Sequence, residues 1–145
     1  MDIWRFQERL TAMLLAWAAS SIGMGVTLNR GDAFKRGVGE QFVGWGLVNA
    51  AIALFGQRSA TRRRQQADAD APETQAAERR KLSRLLWINT GLDVVYVMGG
   101  LFSARSRGAS DERWRGRGVG IMIQGGFLFF FDLLNALALR RVSEA

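Results

Sequence analysis

Charged and uncharged stretches alternate along the chain with a spacing that decides the fold. Leu10 to Asn29 is a run of 20 residues without a charge. Residues 37–57 form a run of 21 with only Glu40 charged, near one end. Residues 85–104 make 20, interrupted by Asp93, and residues 118–139 make 22, interrupted by Asp132. A helix crossing the hydrocarbon core of a bilayer needs about 20 mostly apolar residues at roughly 1.5 Å each. A bundle in water would instead place charged residues on its outer face at every turn. Here those positions carry Leu, Val, Ile, Phe and Ala. The pattern predicts an all-α fold: one integral membrane domain, 1–145, with spans at about 10–29, 37–57, 85–104 and 118–139 and a linker at 58–84.

Glycine sharpens this reading. Fourteen of the 17 glycines fall inside the four stretches, where each would cost a helix in water about 1 kcal/mol relative to alanine. In a bilayer, small residues instead allow helices to approach closely. The first stretch has the look of a secretory signal, with Arg5 and Arg9 before it and Ala16-Trp17-Ala18-Ala19 resembling a cleavage region. Its apolar run continues to Leu28, longer than a usual signal core, so a retained span is expected. A weak internal repeat is visible. Arg36-Gly37-Val38-Gly39 opens the second stretch, Arg117-Gly118-Val119-Gly120 opens the fourth, and Gly44 matches Gly125 at the same offset. Arg9-Leu10 and Arg84-Leu85 open the first and third, with Gly25 opposite Gly100. Two repeated helix hairpins would produce this pattern, and so would chance matching of Gly-rich segments.

Composition removes several chemistries. The mean hydropathy of -0.02 is that of an ordinary soluble domain, because basic connecting segments offset the apolar runs. The chain has no Cys and no His, which excludes disulfides, thiolate chemistry and imidazole catalysis. Ser20 and Ser21 have no base near them in sequence, and two carboxylates without histidine make a poor transition-metal site. No enzyme activity, metal or cofactor is expected. The formal charge of +7 lacks the groove-binding or aromatic-interleaved elements of a nucleic-acid binder. With four spans, twelve Lys and Arg fall on the side of the termini and the linker, against eight on the other. The positive-inside rule then places both termini in the cytoplasm of a bacterial inner membrane.

The linker holds Arg62-Arg63-Arg64 and the only proline, Pro72. Asp70, Pro72 and Glu73 read as a capped helix start. The Ala-, Glu- and Arg-rich residues 71–84 should be helical and continue into the third span. Arg62, Arg63, Arg64, Arg79, Arg80 and Lys81 are candidates for contact with anionic lipid headgroups, at about 1 kcal/mol per basic residue. An ordinary topology signal with no specific ligand is the plainer reading. The loop Arg113-Trp114-Arg115-Gly116-Arg117-Gly118 reads as a solvated basic turn with Trp114 at headgroup level.

Polar residues inside the spans carry the candidate chemistry. Asn89, Asp93, Tyr96 and Gly100 share a face of the third helix. Gln124, Leu128, Asp132 and Asn135 share one on the fourth, and Gln41, Trp45, Asn49 and Gly56 on the second. The first helix offers a small-residue face, Ala12, Ala16, Ser20, Gly23 and Thr27, expected to let the bundle close. A carboxyl at such depth costs at least about 2.5–3.5 kcal/mol, so it must be protonated, paired or turned inward. The three polar stripes are expected to converge between helices two, three and four, forming a site of Asp93, Asp132, Asn89, Gln124, Asn49, Tyr96 and Asn135. Helix–helix packing through neutral carboxyls, worth about 0.6–2 kcal/mol per contact, is the structural alternative.

Three stretches carry a likeness: Gly44-Trp45-Gly46-Leu47-Val48-Asn49, Ile88-Asn89-Thr90-Gly91-Leu92-Asp93-Val94-Val95-Tyr96, and Ile123-Gln124-Gly125-Gly126-Phe127-Leu128 running on to Asp132. With its Asn-x-Gly-Leu-Asp and Gln-Gly-x-x-Leu motifs, the chain resembles a family of small bacterial four-helix membrane proteins of unknown function. The resemblance implies four retained spans and draws attention to Asn49, Asn89, Asp93, Gln124 and Asp132. It implies no activity. The expectation is a multi-pass inner-membrane protein with a site built on two carboxyls, a small proton- or cation-linked transporter. The alternative is a structural or assembly subunit of a larger membrane complex. Four short helices enclose little volume, so a homo-oligomer or a membrane-complex partner is expected.

Overall fold

The computed structural model describes residues 2–144, with side chains through 141. Four helices follow one another: α1 (Ile3–Leu28), α2 (Ala33–Arg64), α3 (Pro72–Arg105) and α4 (Glu112–Glu144), with a 3₁₀ turn at Arg107–Ala109. No strand occurs among the described residues. The expected all-α, four-helix architecture is thus found, and all four helices are long and apolar enough to cross a membrane. At most 33% of the residues in any apolar window are buried within the protein. The outward faces carry Phe55, Val95, Phe102 and Phe130, each more than 60% exposed, a surface suited to acyl chains and not to water.

Local signals set the helix ends. Asp2 caps α1 by accepting from the Trp4 amide at 3.1 Å, and Asp32 caps α2 through the Lys35 amide at 2.9 Å. The Asp111 carboxylate accepts from the amides of Arg113 and Trp114 at the head of α4. The α3 start differs from expectation. Ala71 is the N-cap, without a side-chain bond, and Pro72 is the first helical residue. Proline suits that position because it lacks an amide hydrogen that would have no partner there. From it the linker helix runs unbroken into the third apolar stretch, as expected.

Each helix is antiparallel to the next in the chain. Principal packing joins α1 to α2, α2 to α4 and α4 to α3, while α3 meets α1 lightly. The bundle has a loop end, with connections 29–32 and 106–111, and a linker end, with residues 65–71 and both terminal segments. At the loop end glycines bring backbones together. Gly25 and Gly39 face each other across α1 and α2, where an added Cβ would meet the opposite carbonyl at 2.7 Å. Gly100 and Gly118 do the same across α3 and α4, at 2.7 and 2.6 Å. Between α2 and α4, Gly37 lies against the Arg113 carbonyl and Gly116 against that of Phe34. Gly25 and Gly100, opposite each other in the repeat, both take part in these crossings, but their partners Gly39 and Gly118 are offset by two residues, and Gly120, the counterpart of Gly39, meets Gln41 of α2.

At the linker end large side chains set the spacing. Ile3, Trp4 and Phe6 pack with Ala69, Leu86, Ala136 and Leu139, and the Trp4 indole donates to the Ala69 carbonyl at 3.2 Å. One expectation is overturned here. The small face of α1, Ala12 to Thr27, points outward, and the buried face is Thr11, Leu14, Ala18, Ser21 and Gly25. In an apolar surrounding either face could be turned inward on polarity grounds. Complementarity to α2 decides: Gly46 seats against the Ala18 carbonyl and Ile22.

Candidate functional site

Asp93 and Asp132 lie on the facing sides of α3 and α4, 3% and 7% exposed. Their carboxyl groups interact directly with each other. Helix register brings this about. Gly100 sits beside Met122 and Gly125 beside Tyr96 and Val97, so descending α3 by two turns from Gly100 carries Asp93 down toward Asp132. The Asp93 Oδ2 atom is buried without a hydrogen-bond partner. No lysine or arginine is found inside the uncharged stretches, so nothing within them neutralises the pair. Two ionised carboxylates at contact in an apolar interior repel strongly. The arrangement holds together when the pair retains a proton that one oxygen donates and another accepts.

The other polar residues expected at the site are placed unevenly. Asn89 is half-buried and shares a cavity wall with Asp132. Asn49 is 2% exposed on α2, its Nδ2 buried without a partner. Gln124 is fully buried but turned to α1: its Nε2 donates to Ser21 Oγ at 3.0 Å, and its Oε1 accepts from the Trp17 indole at 3.0 Å. Asn135 donates back to the Phe131 carbonyl of its own helix at 2.7 Å. Tyr96 is 36% exposed and meets Trp45 edge-on at 5.0 Å. The structure thus brings Asp93 and Asp132 together with Asn89 close by, while Gln124 ties α4 to α1. Trp17, which also stacks on Phe127 at 3.8 Å, and Ser21 escaped the sequence reading. No polar periodicity marks them, because a single donor or acceptor on α1 suffices to satisfy Gln124.

A cavity of about 210 Å³ opens beside the pair, bounded by α1, α2, α3 and α4. Asp132, Phe131 and Asn89 form its inner end, and Leu10, Leu14, Ile52 and Leu86 line it. Toward the linker end it reaches Gln7, Arg63, Glu78 and Lys81, with Arg63 and Glu78 joined as an ion pair. Gln7 Oε1 is buried there without a partner. The loop end is shut by the glycine contacts and by Glu40, which accepts from Arg113 Nε at 2.8 Å and Arg117 Nε at 2.6 Å. Arg107 and Arg117 lie over the Trp114 ring at 4.7 and 4.8 Å. The cavity therefore runs from Asp132 toward the linker end, and its lining also includes Ile52 and Leu85 on the exposed sides of α2 and α3.

The six basic residues singled out in the linker separate. Arg63 and Lys81 stand at the cavity mouth, and Arg64 pairs with Glu8 at 2.6 Å. Arg62 lies with Arg58 on the outside of α2, and Arg79 and Arg80 line a groove between α3 and α4. Among the described residues no group of three acidic side chains could hold a metal ion.

The chain belongs to a family of unknown function, DUF6992, whose pattern it matches over residues 13–133. That range takes in both aspartates, all of α2 and α3, and most of α1 and α4. No curated protein and no solved structure matches the chain.

Proposed function

We propose that the chain is a four-span membrane protein whose Asp93–Asp132 pair takes up and releases protons, as the core of a small proton- or cation-linked transporter. The observation that carries this reading is the direct facing of two buried carboxyls, one of them lining a cavity that reaches the linker end. Intramembrane acids cost several kcal/mol and mark ion or proton pathways more often than not. A facing pair that holds one proton is a donor and an acceptor at once, which is the chemistry of a relay. The cavity supplies the route from the linker end to Asp132. Lys81 stands at its mouth, and the Arg63–Glu78 pair beside it adds no net charge. A basic rim disfavours a bulky cation and leaves a proton, moving along hydrogen bonds, as the preferred species. The excess of Lys and Arg on the linker side supports a cytoplasmic location for that rim in a bacterial inner membrane.

The test is reconstitution into liposomes with a pH-sensitive dye trapped inside and a proton gradient imposed. Wild-type protein should dissipate the gradient, and Asp93→Asn and Asp132→Asn should each lose this by tenfold or more while remaining folded. A wild type without flux sinks the transport reading and leaves the pair as helix packing in a structural or assembly subunit.

A further inference from the structure

A second site lies on the outside of the bundle, away from the carboxyl pair. Arg79, Arg80, Ser83, Arg84 and Trp87 of α3 and Arg140 of α4 line a groove of about 640 Å³. Arg79 and Arg140 also interact within the protein, as walls of the groove, whereas Arg80 and Arg84 are exposed. The depth of the groove is fixed by the sequence. Arg84 immediately precedes the uncharged stretch of α3, and Arg140 immediately follows that of α4. The groove therefore sits where a bilayer would pass from hydrocarbon to headgroups. Trp87, 45% exposed, lies one turn inward of Arg84, the level that amphipathic indoles favour. Guanidinium groups fork onto phosphate oxygens, and a serine hydroxyl beside them adds a further donor.

We infer that this groove binds the phosphate of an anionic phospholipid, its headgroup held by Arg80 and Arg84 and its glycerol end against Trp87. A phospholipid is favoured over a soluble anion because the groove opens at headgroup depth and has an apolar floor, including Leu139. The inference requires the helices to span a membrane and is independent of the carboxyl pair, so either reading can fail alone.

The full chain in mild detergent is mixed with phosphatidylglycerol and phosphatidylcholine of matched chains, and retained lipid is counted by native mass spectrometry. The wild type should keep phosphatidylglycerol about thirtyfold better, a preference expected from two basic contacts at about 1 kcal/mol each. Arg80→Gln/Arg84→Gln should abolish the preference, and Arg58→Gln/Arg62→Gln, on the outside of α2, should keep it. Phosphatidylglycerol with brominated chains should quench wild-type tryptophan fluorescence more than that of Trp87→Phe, a readout that does not depend on the arginine variant folding. Equal retention of the two lipids, or a preference that survives Arg80→Gln/Arg84→Gln, overturns the inference. Displacement of the lipid by millimolar inorganic phosphate overturns it too, by making the ligand a soluble anion.

Discussion

The two ends of the bundle are built on opposite principles. At the loop end, α2 and α4 touch backbone to backbone at Gly37 and Gly116, and Gly–Gly crossings join α1 to α2 and α3 to α4. At the linker end the large side chains of Trp4, Phe6, Leu86 and Leu139 instead fill the space between α1, α3 and α4. There Gly56 makes only ordinary contact, its added Cβ lying 3.4 Å from Thr11 Cγ2. The cavity that reaches Asp132 lies on the linker side of the glycine contacts and is lined by residues of all four helices. Glycine placement thus sets how closely the helices approach at the loop end.

Substitutions that separate the two ends should test this contrast. Gly116→Val places branched carbon against the Phe34 carbonyl, where only backbone could yield. Overpacking of this kind costs about 1–3 kcal/mol in ordinary cores and more against backbone. The expected result is loss of the folded bundle, seen as aggregation during size-exclusion chromatography in detergent. Gln124→Leu leaves Ser21 Oγ and the Trp17 indole without their partner, an expected loss of about 1–2 kcal/mol in thermal unfolding. Glu40→Gln removes the carboxylate shared by Arg113 and Arg117. Because these groups are partly exposed, the expected cost is about 1 kcal/mol and should shrink with salt. Gly23→Ala and Gly99→Ala face open space and should stay within about 0.5 kcal/mol of wild type. A large effect there would show that those faces are covered.

Much of the fold was legible because charge is excluded from a bilayer, so the edges of the uncharged runs locate the spans. The helices nevertheless extend beyond these runs. α2 continues to Arg64, and α3 begins at Pro72. Charged residues beyond the hydrocarbon cost nothing, and Arg63–Glu78 and Arg64–Glu8 pairs hold the extensions. The facing of Asp93 and Asp132 could be inferred because a carboxyl in hydrocarbon has few alternatives. The orientation of α1 could not. Its outward face, with Ala16 and Ser20, is as small as its inward one, with Ala18 and Ser21, and only the shape of α2 separates them. Gln124 was misread for a related reason: a buried amide takes whatever partner is nearest, and Trp17 and Ser21 were nearer than the acids.

The account depends on the carboxyl pair, in the state this structure shows, being reached from the linker end more readily than from the loop end. The chain has no native cysteine, so Asp132→Cys gives a single thiol whose accessibility can be read directly. In sealed vesicles of known orientation, a small membrane-impermeant thiol reagent should label position 132 at least tenfold faster from the face bearing residues 65–71 than from the other. Equal or faster labelling from the loop face, or reaction only with a lipid-soluble reagent, would contradict the cavity's opening toward the linker end and the proton route drawn from it.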